Sequence, residues 1–127
     1  LCDKRRERAN EADVMNIVGD VRGKNCLIID DMCDTGGTIC KVAEALHQAG
    51  ATAIFACFTH GVLSGAAVEN IRNSHLEKVI VTNTIPIREN GLPLVEGGKI
   101  EVLSVAKLLA SAIKSIHDET SVSSLFI

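Results

Sequence analysis

Short apolar runs alternate with longer segments of helical period along most of this chain, and that alternation fits βα units laid over a parallel sheet. The first run, Cys26-Leu27-Ile28-Ile29, follows a turn-like Arg22-Gly23-Lys24-Asn25. Its unbroken apolarity predicts a central strand buried on both faces. Residues 39–49 then place Ile39, Val42, Ala43, Leu46 and Ala49 on one helical face, with Gly50 where the helix should stop. The pattern recurs as a strand over 53–58, a short helix over 65–71 and a strand over 78–81. Residues 85–98 contain both prolines and several glycines, which predicts a surface loop. A last strand over 100–103 and an amphipathic helix over 105–117 complete the series, the helix carrying apolar residues at 105, 108, 109, 112, 113 and 116. Residues 11–18 suit a strand or a helix equally. The expected class is α/β, with a mainly parallel sheet of about four to five strands flanked by helices.

Length and composition bound the alternatives. A chain of 127 residues is enough for one α/β domain and too short for two. Trp and Tyr are absent, so the core is expected to be aliphatic. With 13 basic and 16 acidic side chains the net charge is −3, which gives no electrostatic reason to expect nucleic-acid or anionic-membrane binding. The five cysteines, at 2, 26, 33, 40 and 57, are odd in number and lack CxxC or metal-finger spacing. That pattern reads as reduced thiols in a cytoplasmic protein. No stretch is apolar for long enough to cross a bilayer, and the basic N-terminal cluster is not followed by a signal-type apolar core. The chain opens without Met and runs at once into Lys4-Arg5-Arg6-Glu7-Arg8, which reads as a passage from the interior of a longer protein.

Chemistry concentrates at residues 30–38, Asp-Asp-Met-Cys-Asp-Thr-Gly-Gly-Thr. Asp30 and Asp31 end an apolar strand, at the edge where open α/β sheets take their ligands. Thr35-Gly36-Gly37-Thr38 leads straight into the next helix, whose free N-terminal amides and positive dipole end favour an anion. The glycines permit positive φ and a close approach of the backbone, while the threonine hydroxyls add donors. Three carboxylates would repel a bare phosphate. They suit ribose hydroxyls instead, so that one turn holds a sugar at its acidic start and the sugar's phosphate at its amide-rich end. Asp34-Thr35-Gly36-Gly37 taken alone is a tight turn with an N-cap, but apolar strand, DDxxD, TGGT and amphipathic helix in succession form a specific signal.

The string Ile28-Ile29-Asp30-Asp31-Met32-Cys33-Asp34-Thr35-Gly36-Gly37-Thr38-Ile39 resembles the phosphoribosyl-diphosphate loop of type I phosphoribosyltransferase folds, and specifically that of ribose-phosphate diphosphokinases. Flanking segments narrow the resemblance. Asp3-Lys4-Arg5-Arg6, residues 14–19, 59–65 and 81–86, and the final Ser121-Val122-Ser123-Ser124-Leu125-Phe126 are similar to that family in its order, so the likeness spans essentially the whole chain. In the family the anomeric hydroxyl of ribose 5-phosphate attacks the β-phosphorus of magnesium ATP, giving phosphoribosyl diphosphate and AMP. By resemblance, Asp30 and Asp34 bind the ribose, Asp31 orients the sugar or magnesium-bound waters, and Thr35, Gly36, Gly37 and Thr38 hold the 5-phosphate. Lys4 and Arg6 match the basic pair of the flexible catalytic loop, Arg6 gripping phosphoryl oxygens bidentately and Lys4 acting as a mobile point charge.

The resemblance further implies that residues 1–127 are a single domain, the C-terminal half of a two-domain subunit, with 1–16 the catalytic loop and lead-in. It places most of the ATP pocket and the principal magnesium ligands in the other half and no metal ligand here. The isolated chain is expected to turn over little or not at all, and subunits are expected to assemble as homo-oligomers, hexamers by family likeness. His60 and Cys33 receive no role, the thiol because phosphoryl transfer from ATP needs no covalent step. Ser121-Val122-Ser123 reads either as part of an intersubunit effector site or as a polar tail, Ser124 standing where an aromatic is common. Two other readings stay open: a phosphoribosyltransferase, which would need a base-recognition hood not seen here, and a regulatory homologue that keeps the fold without catalysis.

Overall fold

The computed structural model describes the backbone of residues 2–5 and 14–126 and the side chains of residues 17–125. Strands β1 (Cys2–Arg5) and β2 (Val14–Ile17) pair antiparallel, Lys4 opposite Met15, which resolves residues 14–17 as strand. The main sheet follows: β3 (Asn25–Cys33), β4 (Ala53–Gly61), β5 (Lys78–Thr82) and β6 (Ile100–Leu103), in that spatial order and all parallel. Helices α1 (Gly37–Gln48), α2 (Ala67–Arg72), α3 (Leu92–Glu96) and α4 (Ala106–His117) alternate with these strands. The architecture is the flanked parallel sheet that the alternation predicts.

Burial follows the two-residue period of the strands. Ile54, Ala56 and Phe58 of β4, Val79 and Val81 of β5 and Ile100 of β6 are buried on one face. Against them pack Ile39, Val42, Ala43 and Leu46 of α1, Ala67, Val68 and Ile71 of α2, and Leu94 of α3. The opposite face is open. There Phe55, Cys57 and Ile80 are only half-buried, while Leu27 and Ile29 of β3 are 56% and 75% exposed.

Three expectations are corrected. The apolar run at 26–29 is not a central strand buried on both faces, because β3 is the edge of the sheet and its outward residues meet no covering helix among the described residues. Residues 85–98 are not a bare loop: a single 3₁₀ turn (Glu89–Gly91) runs into α3, Pro93 stands at the helix start where its missing N–H costs nothing, and Leu94 reaches the core. The strand expected over 53–58 does not stop there, since Thr59, His60 and Gly61 extend β4, with His60 in register with Met32. Helix α4 is amphipathic as its period requires, yet it buries none of its residues.

The end of α1 shows how sequence chemistry fixes the frame. Gly50 adopts φ 88°, its amide bonds the His47 carbonyl at 2.9 Å, and the Ala51 amide bonds Leu46 at 3.0 Å, the two contacts of a Schellman ending. The Gly23 amide then meets the Gly50 carbonyl at 2.8 Å, tying the turn before β3 to the end of the helix that follows it.

Candidate functional site

The site is the junction of β3 and α1. Because β3 runs through Cys33, Asp30 and Asp31 belong to the strand and so point to opposite faces. Asp30 shares its face with Ile28 and Met32, and these three line a cavity of about 270 Å³ together with Cys33, Asp34, Thr35, Gly36, Gly37 and Thr38. Ile39, Val42 and Phe58 give the cavity an apolar floor. Asp31 lies outside this lining, its amide bonded to Asp30 Oδ1 at 2.9 Å. Of the residues that the sequence singles out, six therefore converge: Asp30, Asp34, Thr35, Gly36, Gly37 and Thr38. Lys4 belongs to β1, with its side chain outside the described residues, and Arg6 lies outside them altogether.

Gly36 turns the chain. At φ 74° it occupies the left-handed region, and a Cβ there would stand 3.5 Å from the Ala67 backbone. A larger side chain would carry the cost of that conformation, roughly 1–2 kcal/mol for an L-residue. The first intrahelical bond of α1 runs from the Cys40 amide to the Gly36 carbonyl at 3.0 Å, so the amides of Gly37, Thr38 and Ile39 precede it and face out from the helix start. No side chain caps this end, and no acidic residue sits in the first turn. The result is a cluster of bare donors beside two carboxylates: an anion suits the donors, and hydroxyl groups suit the carboxylates.

Side chains from the neighbouring strand–helix connection support this turn, and the sequence reading gave them no role. The Ser64 hydroxyl donates a hydrogen bond to Asp34 Oδ1, and Asn70 Nδ2 of α2 donates to the Thr35 carbonyl at 2.9 Å. The signal was available in outline, because residues after β4 emerge at the same sheet edge as the end of β3. His60 is a hydrogen-bonded histidine in a threonine network. Its Nδ1 lies 2.9 Å from Thr84 Oγ1, and the Thr82 and Thr84 hydroxyls donate to the Thr59 carbonyl at 2.6 and 3.0 Å.

Cys33 is 3% exposed. Burial chiefly, with Cys40 and the charge of Asp34 adding to it, pushes its thiol up to about 11. Burial also raises the Cys40 thiol, with the Ser74 hydroxyl and Lys99 opposing. Because the folded value of Cys33 lies above the ordinary 9.0, the protonated thiol favours the fold. That contribution is fully present below pH 9 and is lost as pH rises through 9 toward 11. The expected result is that iodoacetamide at pH 8 leaves Cys33 unmodified in the folded chain and modifies it in urea, as peptide mass mapping would read. Rapid labelling of native Cys33 would contradict its inert placement.

Together, a flanked parallel sheet and a strand–turn–helix that brings carboxylates and bare amides to one cavity define an α/β domain with an anion-accepting loop. The chain belongs to the phosphoribosyl synthetase-associated domain family, whose profile matches residues 5–127. It is 50% identical over 126 residues to the ribose-phosphate pyrophosphokinase of Vibrio parahaemolyticus, covering 99% of this chain and 39% of that protein. It is 51% identical over 127 residues to the protein of the same name from Nitrosomonas europaea, again 39% of its length. Among solved structures it is similar to the phosphoribosylpyrophosphate synthetase of Mycobacterium smegmatis, with a TM-score of 0.76 at 40% identity, covering 85% of this chain and 34% of that one. The chain thus spans about two-fifths of the length of the curated relatives it matches.

Proposed function

We propose that this chain is the ribose 5-phosphate-binding domain, the C-terminal half, of a ribose-phosphate diphosphokinase. The observation that carries the reading is the convergence of Asp30 and Asp34 with the Gly37–Ile39 amides and the threonines of the turn on one cavity. The 5-phosphate takes the amides and the Thr35 and Thr38 hydroxyls, and the ribose hydroxyls donate to the two carboxylates. That grip holds the anomeric hydroxyl for in-line attack on the β-phosphorus of ATP, a reaction in which positioning and charge stabilisation do most of the catalysis. Lys4 and Arg6 supply the positive charge for the transferring phosphoryl oxygens. Asp31, on the other face of β3, takes the lesser role of orienting bound water.

Among the described residues no group of three His, Cys, Asp or Glu is arranged to hold a metal ion. In this reading magnesium enters with ATP, whose phosphates supply part of its coordination. The rest of the parent protein supplies most of the ATP pocket. The open apolar face of the sheet and the unpaired outer edge of β3 support a parent with further chain to lay against them, as does the length of the relatives. A homo-oligomer, a hexamer by family likeness, and a cytoplasmic setting complete the proposal. Among the described residues no helix is long and apolar enough to cross a membrane.

The test is AMP formation from ATP and ribose 5-phosphate. A polypeptide of the relatives' full length that contains this chain is expected to turn over, while the 127 residues alone give little or no AMP. Substantial turnover by the short chain would overturn the division of labour.

A further inference from the structure

The segment after β4 is held against the site turn more firmly than the sheet requires. The Leu63 amide bonds the Cys33 carbonyl and the Ser64 amide bonds the Asp34 carbonyl, both at 3.0 Å, so this connection continues alongside the end of β3. Leu63 does this at φ 47°, a left-handed conformation that a bulky residue adopts at a cost of roughly 1–3 kcal/mol. It is 4% exposed, so packing holds it there. This strained ending places the Ser64 hydroxyl on Asp34 Oδ1, while Asn70 independently secures the next peptide at the Thr35 carbonyl.

A carboxylate with one oxygen bound by a fixed hydroxyl no longer turns freely about its terminal torsion. Its second oxygen is thereby left to a ligand in the cavity that Asp34 lines. From this geometry we infer that Ser64 is a positioning residue, setting Asp34 to accept a sugar hydroxyl and thereby letting the turn distinguish a phosphorylated sugar from bare phosphate. The inference rests on the phosphoribose reading of the turn. Without Ser64 the Asp34 carboxylate would be ordered only on binding, at the expense of affinity for the sugar alone. The phosphate end, built from amides and held by Asn70, does not depend on it.

The experiment titrates ribose 5-phosphate and, separately, inorganic phosphate into the 127-residue chain and follows amide chemical shifts, which suit weak affinities. Ser64→Ala, Ser64→Thr and Asp34→Asn are compared with the unaltered chain. Ser64→Ala is expected to weaken ribose 5-phosphate about ten-fold while holding inorganic phosphate within about two-fold, and Ser64→Thr, which keeps the hydroxyl, to restore the sugar phosphate. Should Ser64→Ala not fold, Ser64→Cys keeps the volume with a weaker donor, and a selective loss for the sugar phosphate is again expected. Unchanged ribose 5-phosphate affinity in Ser64→Ala beside a clear loss in Asp34→Asn overturns the role of Ser64 and leaves the site reading standing. Equal loss of both ligands also overturns it, because that marks general collapse of the turn. No change in any variant, Asp34→Asn included, overturns the site reading itself.

Discussion

Asp34→Asn and Asp30→Asn should each weaken ribose 5-phosphate binding by about ten- to a hundred-fold, because each replaces a charged hydrogen-bond acceptor with a neutral amide of the same size. Both side chains line the cavity, and neither contributes to the hydrophobic core, so the fold should survive the change. The same substitutions should leave inorganic phosphate binding intact or tighten it, since removing a carboxylate beside the Gly37–Ile39 amides removes a repulsion. Opposite signs for the two ligands would separate sugar recognition from a general effect of charge. The double variant need not show the product of the two losses, because neighbouring groups in one site are coupled. Isothermal titration of the full-length protein, or amide shifts in the short chain, reads the result. Unchanged ribose 5-phosphate affinity in both single variants would sink the assignment of the turn.

The second large effect concerns stability. Ile71 of α2 is 0% exposed, and Ile71→Ala should cost about 2–5 kcal/mol through lost transfer energy and the cavity left behind. That is a large share of the roughly 5–15 kcal/mol available to a domain. The described residues cover only one face of the sheet, which leaves correspondingly little to spare. Ile113→Ala on α4, where the side chain is 67% exposed, should shift stability by no more than about 0.5 kcal/mol. Urea midpoints at constant m-value give both numbers. Equal costs would mean that the covered and open faces have been wrongly assigned. Ile71→Ala should also loosen the phosphate end of the turn, because Asn70 sits beside it and holds the Thr35 carbonyl.

Much of this architecture was legible in the residues. The alternation of apolar runs and helical periods reports burial, and burial is what orders these elements, so the strands at 53, 78 and 100 and the helices beginning near 39 and 106 fall close to their expected places. The edge position of β3 was not legible. Leu27 and Ile29 are apolar yet exposed, and their apolarity matches a cover that the described residues do not provide, so sequence alone reads them as interior. The same mismatch gives α4 an apolar stripe although it buries none of its residues. At the site, the turn announced itself through residue types held close together in sequence. Ser64 and Asn70 did not, because each reaches the turn across a separation of 30 or more residues and each is an ordinary polar side chain until the sheet brings it near. Asp31 shows the converse, since adjacency to Asp30 suggests a pair that the strand period separates.

Helix α1 begins with three donors and no partner for them among the described residues, which makes the beginning of the helix a place where folding and loading share one equilibrium. An anion that binds there does for α1 what a serine or aspartate does at the head of an ordinary helix, so the ligand serves as part of the secondary structure. The coupling has a size. At a concentration one hundred times its dissociation constant, a ligand specific for the folded form raises stability by about 2.7 kcal/mol. On the phosphoribose reading, ribose 5-phosphate would then raise the thermal midpoint of the chain as it fills the site.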